Sequence, residues 1–303
     1  MQTVSGQQHA ATAPSKDTCA SIACRTIKEL WFHTGTDCNL QCHGCFEGAG
    51  PGVHRIETAT YNDMRPYIDA ATECGVERFS FTGGEPFLNP DILRTLDYAL
   101  ERAPCLVLSN GTTPLRDKAD QLESLRQKPH PLSFRISLDF PDSAQHDGLR
   151  GPGRFQEALA GIRLLHRTGF AVSVARRKEN NEQPEAAENA YSALFVNNGL
   201  PPNLPLVGFP ELLHVAPLQI SEYCLAQYHT EESRAGFMCA FSRMIVKKNG
   251  KMGVYACTLV DDDPAFDLGA ELKQAAARHV MLRHSRCSVC FSQGVSCSSP
   301  SLP

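Results

Sequence analysis

No stretch of this 303-residue chain stays apolar for the roughly 20 residues that a bilayer crossing needs, so no membrane-spanning helix is expected. A secretion signal is missing too. Met1 to Lys16 holds polar and small residues, not a basic segment followed by an apolar one. Charge of one sign is scarce: 29 Lys and Arg stand against 33 Asp and Glu, a net of −4, which leaves no electrostatic footprint for nucleic acid. With 42% hydrophobic and 20% charged residues, the composition is that of a globular protein, long enough for one large domain plus a small annex.

Cysteine, by contrast, is abundant, with 13 residues. In a secreted chain these would read as disulfides. The odd count, the clustered spacing and the missing signal point instead to metal ligation in a reducing cytoplasm. Three thiols fall in Cys38-Asn39-Leu40-Gln41-Cys42-His43-Gly44-Cys45, separated by three residues and then by two. Thiolates are the usual ligands of iron–sulfur clusters, and a [4Fe-4S] cube takes four of them. Three on one loop leave one iron open to a small molecule. A zinc knuckle would use the same residues, so these three alone do not decide.

Residues 1–27, rich in Ser, Thr, Gln and Ala without periodicity, are expected to be disordered, with Cys19 and Cys24 as non-ligand thiols. From Glu29 to Phe209 apolar runs alternate with helical patterns. Strands are expected over 29–34, 78–82, 106–109, 133–139, 170–175 and 205–209, and helices over 60–74, 91–102, 117–125, 155–167 and 185–198. Six such units predict an α/β fold with parallel strands, too few for a closed eight-fold barrel but enough for a partial (β/α)6 TIM-like one. In β/α barrels the loops at the C-terminal ends of the strands build the active site, and the cysteine loop follows the first strand.

The second expected strand ends in Thr82-Gly83-Gly84-Glu85-Pro86, where two glycines allow close backbone approach and a carboxylate can accept hydrogen bonds from an ammonium group. The third ends in Ser109-Asn110-Gly111-Thr112 and the fourth in Ser137-Leu138-Asp139, followed by His146-Asp147-Gly148-Leu149-Arg150. Together with the Cys-x3-Cys-x2-Cys loop, these segments resemble the radical SAM superfamily. The resemblance implies that Cys38, Cys42 and Cys45 hold a [4Fe-4S] cluster that binds S-adenosylmethionine (SAM). It further implies that Gly83, Gly84 and Glu85 hold the amino group of SAM and that the segment with Ser109, Asn110 and Gly111 is the family's Asn-Gly turn. Ser137 and Asp139 then take the ribose, and Arg150 takes the carboxylate, to which a guanidinium binds bidentately. The family usually places a sizeable side chain before the third cysteine. Gly44 stands there instead, which leaves Phe46 to cover the adenine. The implied chemistry is reductive cleavage of SAM to a 5′-deoxyadenosyl radical that abstracts hydrogen from a substrate, with an electron donor such as flavodoxin or ferredoxin as partner.

After Phe209 the β/α rhythm stops. Residues 211–236 read as a linker facing the substrate, in which Glu211, His214, Tyr223, Cys224 and His229 are placed at the barrel mouth. Residues 237–303 read as a small domain. Lys248-Asn249-Gly250-Lys251 between apolar runs is a hairpin signal, with Cys239 and Cys257 at its two ends. A helix over 270–284 is expected next, then Cys287-Ser288-Val289-Cys290 and Cys297, with Asp261-Asp262-Asp263 as a solvated loop. Cys239, Cys257, Cys287 and Cys290 can close a metal site, with Cys297 as substitute. This part resembles the twitch and SPASM domains, which implies a second, auxiliary [4Fe-4S] cluster; structural zinc would use the same ligands. Cys74 and Cys105 read as core thiols.

The leading expectation is a cytoplasmic radical SAM enzyme acting on a small molecule or short peptide, in an oxidation assisted by the auxiliary cluster. Peptide or protein maturation (formylglycine, thioether or epimerisation chemistry) is the alternative, against which the short lead-in weighs because it leaves no room for a leader-binding domain. A non-catalytic iron–sulfur or zinc protein is the third.

Overall fold

The computed structural model of the chain describes residues 18–179, 182–210, 212, 215 and 218–294. A two-residue strand β1 (Ser21–Ile22) leads into β2 (Glu29–His33), whose Leu30, Trp31 and Phe32 are wholly inaccessible. Such unbroken burial marks a parallel strand covered on both faces. Parallel to β2 run β3 (Arg78–Thr82), β4 (Cys105–Ser109), β5 (Leu132–Ser137), β6 (Ala171–Arg177) and β7 (Leu206–Phe209), each beside its predecessor. Helices α1 (Tyr61–Glu73), α2 (Ile92–Ala99), α3 (Thr113–Arg116), α4 (Ala119–Leu125), α5 (Ser143–Arg150), α6 (Arg154–Arg167) and α7 (Pro184–Asn197) make the crossovers. The six-unit partial barrel is as expected. The helix α5, at the segment ending in Arg150, was not anticipated; its N-cap Asp142 accepts from the Gln145 N–H.

Beyond β7 come α8 (Glu222–Tyr228), α9 (Glu231–Ala235) and α10 (Met238–Phe241), then the hairpin β8 (Ser242–Lys248) and β9 (Lys251–Tyr255). Asn249 and Gly250 form its turn with φ of 51° and 71°, the paired positive values of a two-residue type I′ turn. The hairpin does not stand apart from the barrel. β8 pairs in parallel with β2, Glu29 opposite Ser242 through Phe32 opposite Ile245, so one eight-stranded sheet runs β7-β6-β5-β4-β3-β2-β8-β9.

Two expectations fail here, for one reason. The helix expected over 270–284 is reduced to α11 (Leu272–Ala276), followed by strand β10 (Val280–Met281) and, later, by α12 (Cys287–Gln293). Of the lead-in expected to be disordered over residues 1–27, residues 18–27 are ordered, and residues 1–17 lie outside the described residues. β1 pairs antiparallel with β10, the Ala20 N–H donates to Ile220 O, and the Arg25 and Lys28 N–H groups donate to Ala240 and Phe241. Each segment supplies the backbone partner the other lacks, and Ala20, Ile22 and Val280 are buried between them. A long-range pairing has overridden local propensity.

Candidate active site

At the C-terminal ends of the parallel strands lies a cavity of about 240 Å³. Cys38, Cys42, Cys45 and Phe46 line it, with Gly83, Gly84, Ser109, Asn110, Ser137, Asp139 and Arg150. The cysteine loop is held from several sides. The Cys38 N–H donates to Gly50 O at 3.2 Å, the His43 N–H to Leu149 O at 2.7 Å, and Asn110 Nδ2 to Asn39 Oδ1 at 2.9 Å. The Leu40 N–H points at Cys38 Sγ, 3.4 Å away. Burial pushes the Cys38 thiol up to about 12 and raises Cys42 as well, so the bare site favours protonated thiols and a metal must displace those protons.

Gly83 and Gly84 meet protein as well as cavity. A Cβ on Gly84 would lie 2.2 Å from Asp37 O, and one on Gly83, at φ of 147°, 2.6 Å from Gly35 O. Their lack of side chains lets the exit of β3 run against the cysteine loop, where Gly84 and Glu85 N–H donate to Gly35 and Asp37 O. Glu85, expected to face the ligand, is not among the lining residues. Its carboxylate is buried and accepts from Ser109 Oγ, the Asn110 N–H and the Phe87 N–H. It therefore braces the turn that does face the cavity.

Asp139 and Arg150 close the far side as a bidentate pair, Nη2 to Oδ1 at 3.1 Å and Nε to Oδ2 at 2.5 Å, with side chains 17% and 18% exposed. Burial opposes ionisation of Asp139, but the Arg150 charge outweighs it and holds the carboxyl below its usual range. His146 is buried beneath them; burial and the nearby Arg150 hold it down at about 4. Its Nδ1 accepts from the Asp139 N–H at 3.1 Å, which puts the ring proton on Nε2.

A charged network not legible in the sequence links the cysteine loop to the annex. His33 Nδ1 accepts from the Gly35 N–H, so Nε2 donates to Glu47 at 3.0 Å. Arg55 bonds Glu47 O at 2.8 Å and Asp261 Oδ2 at 2.7 Å. The solvated-loop reading of residues 261–263 is thus corrected. Asp261 is 2% exposed and ion-paired, Asp262 pairs with Arg286, and Asp263 caps a 3-10 turn through the Ala265 N–H. A histidine ending an apolar strand and a glutamate right after the cysteines were the available signals.

In the annex, Cys239, Cys257, Cys287 and Cys290 line one small apolar cavity with Phe237, Met238 and Phe266. The Leu259 N–H lies 3.4 Å from Cys257 Sγ, the same i+2 arrangement as at Cys38. Burial pushes Cys239 up to about 12 and Cys287 up to about 11. Cys19 and Cys24 border this region, near enough to Cys287 and Cys239 to raise their thiols further. Cys105 is buried in the core, as expected, whereas Cys74 is half-buried after α1. Tyr223, Cys224 and His229 are not among the residues lining the main cavity; His229 bonds Phe291 O at 2.9 Å instead. Glu211, His214 and Cys297 lie outside the described residues.

Among the described residues no three Cys, His, Asp or Glu side chains converge on one ion. The donor sets nonetheless suit a cluster, whose iron atoms are several and spaced apart. They are soft sulfur ligands, each set with a backbone N–H on one sulfur, and the annex set sits in an apolar wall.

The radical SAM superfamily model matches residues 33–188, just over half the chain. The chain belongs to the radical SAM superfamily. Its members are enzymes that use a [4Fe-4S] cluster and SAM. Among curated proteins this radical SAM chain is 28% identical over 159 residues to the AdoMet-dependent heme synthase of Nitratidesulfovibrio vulgaris, covering 51% of this chain and 42% of that one. It is 32% identical over 140 residues to the antilisterial bacteriocin subtilosin biosynthesis protein AlbA of Bacillus subtilis, covering 46% and 30%. The chain thus spans less than half the length of either. Among solved structures, Streptococcus suis SuiB bound to SAM shares the fold with a TM-score of 0.60 at 15% identity, over 84% of this chain and 66% of that one. Among the described residues no helix is long and apolar enough to cross a membrane.

Proposed function

We propose that the protein is a radical SAM oxidoreductase that takes hydrogen from a small-molecule or short-peptide substrate, assisted by a second [4Fe-4S] cluster in the annex. The observation that carries this reading is that two thiol-lined cavities lie back to back: Thr258 borders the first and Cys257 the second. Cys38, Cys42 and Cys45 would hold one cluster; Cys239, Cys257, Cys287 and Cys290 would hold the other. When bound, the first cluster supplies the electron that splits the sulfonium C–S bond of SAM and frees a 5′-deoxyadenosyl radical.

This chain's own residues orient the ligand. Ser109, Asn110 and Ser137 offer hydroxyl and amide groups at the strand ends, and Glu85 acts on the ligand through Ser109 and Asn110. Arg150, held by Asp139, keeps Nη1 outside that pair for the SAM carboxylate. Phe46, beside Cys45 in the cavity wall, would cover the adenine, a role its lining position supports. Cys42 and Cys45 also border an open groove on the outer side of their loop, a route for electrons from a flavodoxin or ferredoxin in a reducing cytoplasm.

A second reading, peptide maturation, is supported by the name of AlbA, a bacteriocin biosynthesis protein, and by the SuiB complex with its precursor peptide SuiA. The deciding experiment is an anaerobic count of iron and sulfide, with a Cys38/Cys42/Cys45→Ala variant alongside. About eight irons in the parent and about four in the variant support the two-cluster oxidoreductase. About four and none, with zinc retained, overturns the auxiliary cluster and moves the search to redox-neutral chemistry.

A further inference from the structure

We infer that Arg286 is a positioning residue for the annex site: it holds the backbone that hydrogen-bonds the Cys257 sulfur, and its charge sets the reduction potential of the iron–sulfur group held there. The inference rests on reading the annex as a cluster site. Arg286 is 9% exposed and forms the wall between the two cavities. It lines the annex cavity beside the four cysteines, while Leu212 and Phe46, which it touches, line the main one. Its Nε donates to Leu212 O at 3.2 Å, its Nη1 to Leu259 O at 2.8 Å and to Asp262 Oδ1 at 3.0 Å, and its Cζ lies 5.9 Å from the Phe46 ring centre. Among the described residues Nη2 has no partner.

Leu259 links Arg286 to the Cys257 sulfur. Its carbonyl accepts from Arg286, and its N–H is the group directed at Cys257 Sγ. Hydrogen bonds to the sulfurs and net charge nearby are two of the levers that set a cluster's potential. Reduction adds negative charge, so a fixed cation in an apolar wall favours the reduced state, and weak screening there makes the effect large. Asp262 opposes it only in part, because its side chain is 43% exposed and water screens it. His284 also draws on Asp262, at 3.4 Å. A merely structural role for Arg286, which precedes α12 at its N-cap, would cost stability without moving a potential.

The test uses the Cys38/Cys42/Cys45→Ala background, in which the annex cluster alone reports, and follows its midpoint by EPR-monitored redox titration. Arg286→Gln should lower the reduction equilibrium at least tenfold, about 59 mV for one electron. Asp262→Asn, which removes the opposing charge and leaves Arg286 in place, should move the midpoint the other way; it decides the matter if Arg286→Gln fails to fold. Arg55→Gln also breaks a link between barrel and annex, yet Arg55 bonds Glu47 and Asp261 and not Leu259 or Asp262, so the midpoint should move far less than in Arg286→Gln. Iron retained with unmoved midpoints in Arg286→Gln and Asp262→Asn, or an equal shift in Arg55→Gln, overturns the inference and leaves the cluster reading intact. A background variant without iron removes the cluster reading, and the inference falls with it.

Discussion

Glu85 shows what burial does to a carboxylate at this site. It is 2% exposed, and burial pushes its carboxyl up to about 7 despite three hydrogen bonds that favour the charged form. The native state therefore holds this proton more tightly than the unfolded chain does. The stability it contributes is complete below the ordinary value of 4.5 and is lost as pH rises through about 7. Urea unfolding of the apoprotein at pH 5 and pH 8 should show the parent losing more stability than Glu85→Gln over that interval. Parallel losses would contradict the burial argument. Asp139 works the other way, since it stabilises a charge. Asp139→Asn strands the mostly buried Arg150 guanidinium and should cost about 3 kcal/mol in the urea midpoint. A loss below about 1 kcal/mol would mean that water reaches the pair.

Between elements, the site depends on how closely two strand exits approach. Gly84→Ala would force a methyl group to within 2.2 Å of Asp37 O, so the cysteine loop must move. The expected result is about 1–3 kcal/mol of lost stability together with reduced iron at the first cluster. Full iron occupancy in that variant would show that the loop can adjust. The N-terminal strap has a purely structural test. Ile22 is 4% exposed and pairs with Val280, so Ile22→Ala should cost about 2–3 kcal/mol in thermal or urea unfolding. An effect near zero would return residues 18–27 to the disordered reading.

Over the whole molecule, barrel and annex share one sheet and one charged network. β8 covers the edge of β2, whose side chains are the most deeply buried in the barrel, and Arg243 of β8 ties the Cys239, Ala275 and Arg278 carbonyls together. A fragment ending at residue 236 should therefore lack a cooperative unfolding transition by circular dichroism, because it exposes that edge and its apolar faces. A folded, monomeric fragment would show instead that the annex is separable.

Much of this was legible in the chain itself, because the chemistry is local. Three thiols on eight residues, a Gly-Gly-Glu-Pro turn after a strand, and an Asn-Gly hairpin each carry their meaning within a few residues, and alternation of apolar runs sets the β/α order. Backbone geometry and short-range periodicity suffice for such features. What the fold decided is what depends on partners far along the chain. The strap became ordered through β10, some 260 residues away. Of the acidic triplet, Asp261 became buried against Arg55 and Asp262 an ion-pair partner of Arg286, and Glu85 turned from the ligand to the turn behind it. Burial and pairing are properties of neighbours in space, and a polar residue takes its role from whichever groups the fold sets beside it.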